Sequence, residues 1–208
     1  MGSTLRDDLA RYYDQDAAGR AERPLLDERV RRRDAFVARL VAEDRTGVVE
    51  IGTGPGADAA ARRDAGLVVR GVDLSAEHVR LARERGIDAV VAPAHELPYA
   101  DASFDALWSM SVLMHLPDDD LHDALREFAR VLRPGAVAAL GMWGGDGTSG
   151  TIPTDTIEPA RTFWWRTDDE VRSIVSAYAE VEQFDTWSPE TVHHYQWVVA
   201  RFEGASHG

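Results

Sequence analysis

Between residues 47 and 143 short apolar runs alternate with helical patterns, and this alternation constrains the fold more than any other feature of the chain. "GVVEI" (47–51), "GLVVRGV" (66–72), "IDAVVA" (87–92), "FDALWSM" (104–110) and "AVAALGMW" (136–143) have the length and apolar content of strands. Helical patterns fall between them at about 56–65, at "SAEHVRLARERG" (75–86) and at "PDDDLHDALREFARVL" (117–132). Ser75 with Glu77 starts the second of these and Gly86 stops it. The third has acids in its first turn and an apolar stripe of Leu121, Leu125, Phe128 and Leu132, before Pro134 and Gly135 end it. Strands and helices in this rhythm close by right-handed crossovers into a parallel sheet covered on both faces. The expected class is α/β: a doubly wound, mostly parallel sheet of about seven strands, the last one antiparallel, with helices on both faces and an N-terminal helical cap.

The flanks are less regular. Residues 24–42 begin with Pro24 and place Leu26, Val30, Val37, Leu40 and Val41 at helical spacings, which predicts an amphipathic helix ahead of the first strand. The stretch 144–160 is rich in glycine, threonine and proline and reads as a long loop. A helix is expected over 167–179, then two strands, "EVEQFDTW" and "HHYQWVVARFE", joined by the turn "SPE". Twenty-three basic residues, all arginine, against 36 acidic ones leave a net charge of −13. Such a field repels phosphate backbones, so nucleic acid is not an expected partner. No apolar run approaches the roughly 20 residues that span a bilayer, and residues 1–16 lack the apolar core of a signal peptide. The expectation is a cytoplasmic protein with no membrane contact. There is no cysteine and no histidine–carboxylate set at metal-ligand spacing, so no metal is expected.

Gly52, Gly54 and Gly56 follow the first strand directly, where a doubly wound sheet lets bare backbone approach a ligand. Asp73 ends the second strand about 20 residues further on, the distance at which a carboxylate meets the ribose hydroxyls of an adenosine cofactor. Its competing role, capping the next helix, suits Ser75 better. The pattern Gly52-x-Gly54-x-x-Ala57 also fits a dinucleotide fingerprint, but Pro55 has no amide hydrogen for a pyrophosphate. Glu50 would add negative charge beside two phosphates, whereas it suits the cationic amino end of a methionine moiety. Both features favour S-adenosylmethionine over NAD.

With these motifs the chain resembles the class I S-adenosylmethionine-dependent methyltransferases, in particular their small-molecule branch, a Rossmann-like fold. "VVEIGTGPG" looks like the first motif, "GVDLS" like the ribose-binding acid, "LPYADASFDALWSMSVLMHL" like the middle block and "REFARVLRPGAVAALGMW" like the helix-to-strand block. The resemblance runs over about 45–143 and less distinctly to 202. It implies Glu50, Gly52, Gly54 and Gly56 at the methionine end, Asp73 at the ribose, Leu74 against adenine, and the amide of Ala94 at the adenine edge. Where the family often has an acid this chain has Pro93, with His95 or Glu96 as substitutes. Ser109 to Ser111 would line the pocket below the methyl group. One domain is expected, with a cap over 1–44, a cofactor-binding core over 45–143 and an acceptor side over 144–208.

Methyl transfer is an in-line displacement that asks mainly for alignment, with a base only if the acceptor must lose a proton. His115, just past the fourth strand, is the candidate base, against a plainer role in ordering the loop after it. Tyr12 and Tyr13 lie where similar enzymes fold a lid, or serve simply as docking anchors. Trp164, Trp165, Arg161 and Arg166 are candidates for holding an aromatic or anionic acceptor, and equally for core packing. His193 and His194 alternate along a strand, so one of them faces inward, with His194 the candidate for acceptor contact. The expected activity is transfer of a methyl group to a small-molecule acceptor, releasing S-adenosylhomocysteine, from a chain that forms a homodimer. The alternatives are an S-adenosylmethionine-binding protein that transfers no methyl group, regulatory or cyclase-like, and an NAD-dependent oxidoreductase.

Overall fold

In the computed structural model, which describes residues 3–187 and 193–203, β1 (Gly47–Ile51), β2 (Val68–Asp73), β3 (Asp88–Val91), β4 (Phe104–Met110) and β5 (Leu132–Gly144) form the parallel part of one sheet. The strands run in the order β3-β2-β1-β4-β5-β9-β8, with β8 (Glu180–Trp187) and β9 (His194–Phe202) at the far edge. β9 is antiparallel to both β5 and β8, so a single reversed strand enters a seven-stranded sheet. The order reverses between β1 and β4, the place where such sheets open a ligand crevice.

Period-two alternation sends the strand side chains to two cores. On one face Val48, Ala106 and Trp108 pack with Phe36 and Leu40 of α2 (Asp27–Ala42), Ala59 of α3 (Ala57–Asp64), and Val79 and Ala82 of α4 (Ala76–Glu84). On the other, Val49, Leu107 and Leu140 meet Leu121, Leu125 and Phe128 of α5 (Asp118–Val131) and Val171 and Val175 of α6 (Asp168–Ser176). Ser75 caps α4 by accepting the His78 amide at 3.0 Å. Thr167 and Glu170 form a reciprocal capping box on α6.

Three expectations need correction. Helix α2 starts at Asp27 rather than in the turn opened by Pro24, and its buried residues are Phe36 and Leu40, while Leu26 and Val41 are exposed. Phe36 prevails because its ring packs on Trp108, with centroids 5.6 Å apart. Pro134 and Gly135 do not separate helix from strand: β5 already begins at Leu132 and carries both in a register irregularity opposite Phe104 and Ala106, where the missing proline amide is tolerated. The stretch 144–160 is not all loop, since β6 (Thr148–Thr151) pairs antiparallel with β7 (Thr162–Trp165) in a separate ribbon. The "SPE" turn lies outside the described residues.

The N-terminal α1 (Ser3–Glu22) lies against α4. Asp14 fastens it there, accepting from Ser75 Oγ at 2.5 Å and from the Glu77 amide at 3.1 Å. Gln15 donates to the Glu158 carbonyl at 2.9 Å, and the Tyr12 hydroxyl donates to Asp155, so the same helix also grips the segment after β6. Among the described residues no helix is long and apolar enough to cross a membrane.

Candidate active site

The C-terminal ends of β1, β2, β4 and β5 open into one cavity of about 730 Å³, roofed by α1. The three glycines after β1 do different work there. Gly52 (φ 74°) lets the chain turn hard against the neighbouring loop, because a Cβ would stand 2.0 Å from Val112 Cγ2. Gly54 (φ 53°) has nothing within 4 Å of where its Cβ would be, so its bare backbone faces the cavity. Gly56 starts α3 away from the cavity, and its missing Cβ would lie 3.1 Å from Ala82 Cα, which brings α3 against α4. Gly56 is thus a packing residue and not a cavity contact.

Asp73 ends β2 with its carboxylate on the cavity wall. One oxygen accepts the Gly54 amide at 2.7 Å and the other accepts the Ser75 amide at 2.9 Å, with His78 Nδ1 at 3.3 Å. A carboxylate has about four acceptor positions, so lone pairs remain for a ribose. Leu74, Ala94 and His95 line the cavity beside it. His95 Nδ1 is buried and has no hydrogen-bond partner among the described residues. Its loop is held from α5: Glu127 accepts the Leu97 amide at 2.7 Å, while Arg130 donates to the carbonyls of Tyr99 and Leu97. An open main-chain cradle, a ribose-height carboxylate and an orphaned ring nitrogen at the adenine-side loop together fit an adenosine group.

Besides Gly56, Glu50, expected at the methionine end, and Ser109, expected below the methyl group, do not reach the cavity. Glu50 is 1% exposed and points into the α3 side, where Arg62 Nη2 lies 2.6 Å from Oε2 and the Thr53 hydroxyl donates to it at 3.2 Å. Burial pushes the Glu50 carboxyl up while Arg62 pulls it down. Arg62, wholly buried, also sits 4.7 Å above the Trp108 ring. Period two explains the miss: Glu50 shares a face with Val48, against α2 and α3. Ser109 is fully buried inside β4. The residue that turns into the cavity is Ser111, a non-glycine at φ 60°, held by its amide on the Gly141 carbonyl at 2.7 Å and its hydroxyl 3.1 Å from that of Tyr195. Such strain persists only where surrounding contacts impose it.

At the other end of the cavity, residues far apart in sequence meet. His115 ends a short 3₁₀ turn (Leu113–His115) and is 2% exposed. Its Nδ1 lies 2.9 Å from the Thr162 carbonyl, which places the proton on Nδ1 and leaves Nε2 to accept from the Tyr13 hydroxyl at 2.8 Å. Burial first, then the nearby Arg161 and Arg20, push the imidazole down to about 3, so it is neutral at physiological pH. Arg161 Nη1 donates to the Tyr13 hydroxyl at 3.4 Å, pairs with Asp155 at 2.9 Å and lies 4.2 Å from the Tyr12 ring. Asp155 was not singled out, because one acid in a polar loop has no distinguishing pattern.

Trp164 and His194 stay outside this group. Trp164 sits across from Ser149 in the ribbon, its neighbours Phe163 and Trp165 taking the cavity face by alternation. His194 Nε2 is 2.7 Å from Asp168 and ties β9 to α6, while His193 lines the cavity. Arg166 is buried on the Leu116 carbonyl and Asp118, at 2.7 and 2.8 Å, and acts as a loop anchor.

A doubly wound sheet with a glycine cradle and a carboxylate at its switch point defines a nucleotide-cofactor protein. The profile of the methyltransferase domain family matches residues 49–140. Methyltransferase GfsG of Streptomyces halstedii is 35% identical over 144 residues, 65% of this chain and 51% of that protein. The 27-O-demethylrifamycin SV methyltransferase of Amycolatopsis mediterranei is 37% identical over 139 residues, 62% of this chain and 48% of that protein. The chain thus spans about half the length of these curated relatives. Among solved structures, the Burkholderia thailandensis 1,6-didemethyltoxoflavin-N1-methyltransferase superposes with a TM-score of 0.71 at 24% identity, over 96% of this chain and 88% of that one, a likeness of fold. Over residues 49–140 the chain is similar to the S-adenosylmethionine-dependent methyltransferases in sequence and in fold.

Proposed function

We propose that the chain transfers a methyl group from S-adenosylmethionine to a hydroxyl of a small-molecule acceptor, releasing S-adenosylhomocysteine. The observation that carries this reading is the continuity of the cavity, which joins the Gly54–Asp73 cradle to the Tyr13–His115 pair. The cofactor's part is a methyl group already activated on a cationic sulfur. The chain's part is alignment, dryness and removal of a proton. A hydroxyl that reaches Tyr13 passes its proton to the phenol oxygen as the phenol proton moves to His115 Nε2. Held in the Gly54–Asp73 cradle, the cofactor would supply its methyl carbon to that oxygen, its sulfur keeping the electron pair of the carbon–sulfur bond. An imidazole this far below its ordinary range is a weak base. It suffices when the proton leaves late, from an oxygen already acidified by the incoming methyl group. Remaining neutral also keeps a second positive charge away from the sulfonium.

In this reading residues 1–44 are the cap, 45–143 the cofactor half and 144–208 the acceptor half. A net charge of −13 supports a small acceptor over nucleic acid. Cytoplasmic residence and a homodimer belong to the same reading.

Calorimetric titration with S-adenosylmethionine, S-adenosylhomocysteine and NAD tests the cofactor, and incubation with a labelled methyl donor and a pooled metabolite extract tests transfer. Binding of the two sulfur nucleosides but not NAD, with label appearing in a small molecule, is the expected result. NAD binding alone overturns the reading. Nucleoside binding without transfer supports the non-transferring alternative.

A further inference from the structure

Resting on that reading, we propose that the acceptor is an uncharged, flat aromatic molecule, held against a wall of ring side chains whose neighbouring charges are already neutralised in pairs. Beyond Tyr13 and His115 the cavity wall continues ring to ring. His115 and Phe163 have centroids 4.7 Å apart, Phe163 and Trp165 stack at 5.5 Å with planes 2° apart, and Trp165 and His193 stack at 4.6 Å with planes 7° apart. Phe163 and Trp165 share one face of β7 by the period of a strand, and both are buried in the core, so their planes are fixed by packing. A wall of rings held in place by packing favours a flat ring system as guest, through edge-to-face contact and apolar burial.

Charge decides against an ionic guest. A site for an anion needs an arginine whose charge is not already spent, because a desolvated anion facing a neutral ion pair gains little. Beside the rings Arg161 is paired with Asp155 at 2.9 Å; further along the wall Arg29 is paired with Asp58 at 2.7 Å and Arg32 with Glu28 at 2.7 Å, while Arg20 and Arg23 share Asp16 at 2.8 and 3.3 Å and Arg6 lies 4.0 Å from Asp7. Arg85 also lines the cavity, but it is exposed at the end of α4 and donates to the Ala21 carbonyl at 3.2 Å. The same pairs occupy the carboxylates that would attract a cation. His115 adds no charge. What remains beside the rings is hydrogen bonding from the Tyr13 hydroxyl, which suits a neutral phenol or enol.

The test uses the full chain saturated with S-adenosylhomocysteine and three probes of one shape: 2-naphthol, 2-naphthoate and 2-naphthylmethylammonium, titrated by tryptophan fluorescence and calorimetry. The expected result is 2-naphthol binding at least about tenfold more tightly than either ion. Asp155→Asn, of equal size, unpairs Arg161 and should raise 2-naphthoate affinity about tenfold while leaving 2-naphthol nearly unchanged. Equal or tighter binding of 2-naphthoate by the unsubstituted chain overturns the proposal. So does binding of none of the three in a chain that still titrates normally with S-adenosylhomocysteine, or an Asp155→Asn chain whose probe order does not move. Loss of S-adenosylhomocysteine binding itself is a different failure, of the methyltransferase reading, and it takes this proposal down with it.

Discussion

The two ends of the cavity are built in opposite ways. The cradle is local: Gly52, Gly54, Asp73 and Leu74 fall within 23 consecutive residues, at the ends of two adjacent parallel strands. The other end draws Tyr13 from α1, His115 from the turn after β4, Asp155 and Arg161 from the segment between β6 and β7, and Phe163 from β7. The first is a property of one supersecondary unit, whereas the second exists only once α1 has docked on α4 and the β6–β7 ribbon has folded over it. Damage should therefore separate: changes in the cradle should move cofactor binding, and changes at the far end should move turnover.

The largest separation is expected for His115→Ala. Loss of a positioned base typically costs about 10²–10⁴ in rate. Turnover should fall by that range while S-adenosylhomocysteine affinity by calorimetry stays within twofold. A matching loss of affinity would erase the division. Glu50→Gln comes next and tests the corrected role of that residue. Leaving Arg62 buried without its partner costs about 3–5 kcal/mol. The midpoint of chemical denaturation should drop accordingly, with little change in the cofactor affinity of the folded fraction; a stable protein with collapsed affinity would return Glu50 to the cofactor.

Gly52→Ala combines a left-handed backbone, about 1–2 kcal/mol, with overpacking against Val112, about 1–3 kcal/mol. Gly54→Ala carries only the backbone strain in stability, since the new methyl group points into the cavity, and should show instead as weakened S-adenosylhomocysteine binding. Equal stabilities for the two variants would contradict the close approach at Gly52. For Asp73→Asn, hydrogen bonds to a charged group are worth about 1.5–3 kcal/mol, so affinity should weaken roughly ten- to a hundredfold without loss of fold.

The last comparison concerns pH. His115 is neutral when folded down to about 3, while its unfolded form protonates near the ordinary histidine value, so the unfolded chain binds more protons between these limits. Stability from this group is fully present above about pH 6.5 and declines as pH falls, by up to about 1.4 kcal/mol per unit. His115→Gln should flatten that part of the denaturation profile, with Tyr13, Arg161, Arg20 and Asp155 left in place around the site. The acidic limb of kcat/KM for the free enzyme should show no inflection near pH 6.5 from His115; one at that position would mean that the ring is solvated and not buried.

Legibility followed the same divide. Strand β1 and strand β4 fall at Gly47–Ile51 and Phe104–Met110, the expected spans, since apolar runs between turn residues leave little choice. Gly54 and Asp73 were readable because a βα turn fixes their spacing. Glu50 was misplaced since its neighbours in sequence do not say which face of β1 is occupied by a buried arginine from α3. Of the paired candidates Trp164 and Trp165, and His193 and His194, the sequence does not tell which member faces inward, because the phase of a short strand is set by its partner, which for β7 is the ribbon strand β6 inside a stretch that reads as loop. Asp155 had no pattern at all.

By itself the sequence determined the alternation of strand and helix, the doubly wound class and the nucleotide cradle, because each depends on contacts between residues close along the chain. Only tertiary structure decided that Tyr13 closes on His115, that Arg161 is neutralised by Asp155 and that Glu50 faces Arg62. The longest of those contacts bridges 102 positions, from Tyr13 to His115, and all are selected by how whole elements pack, which no local periodicity encodes.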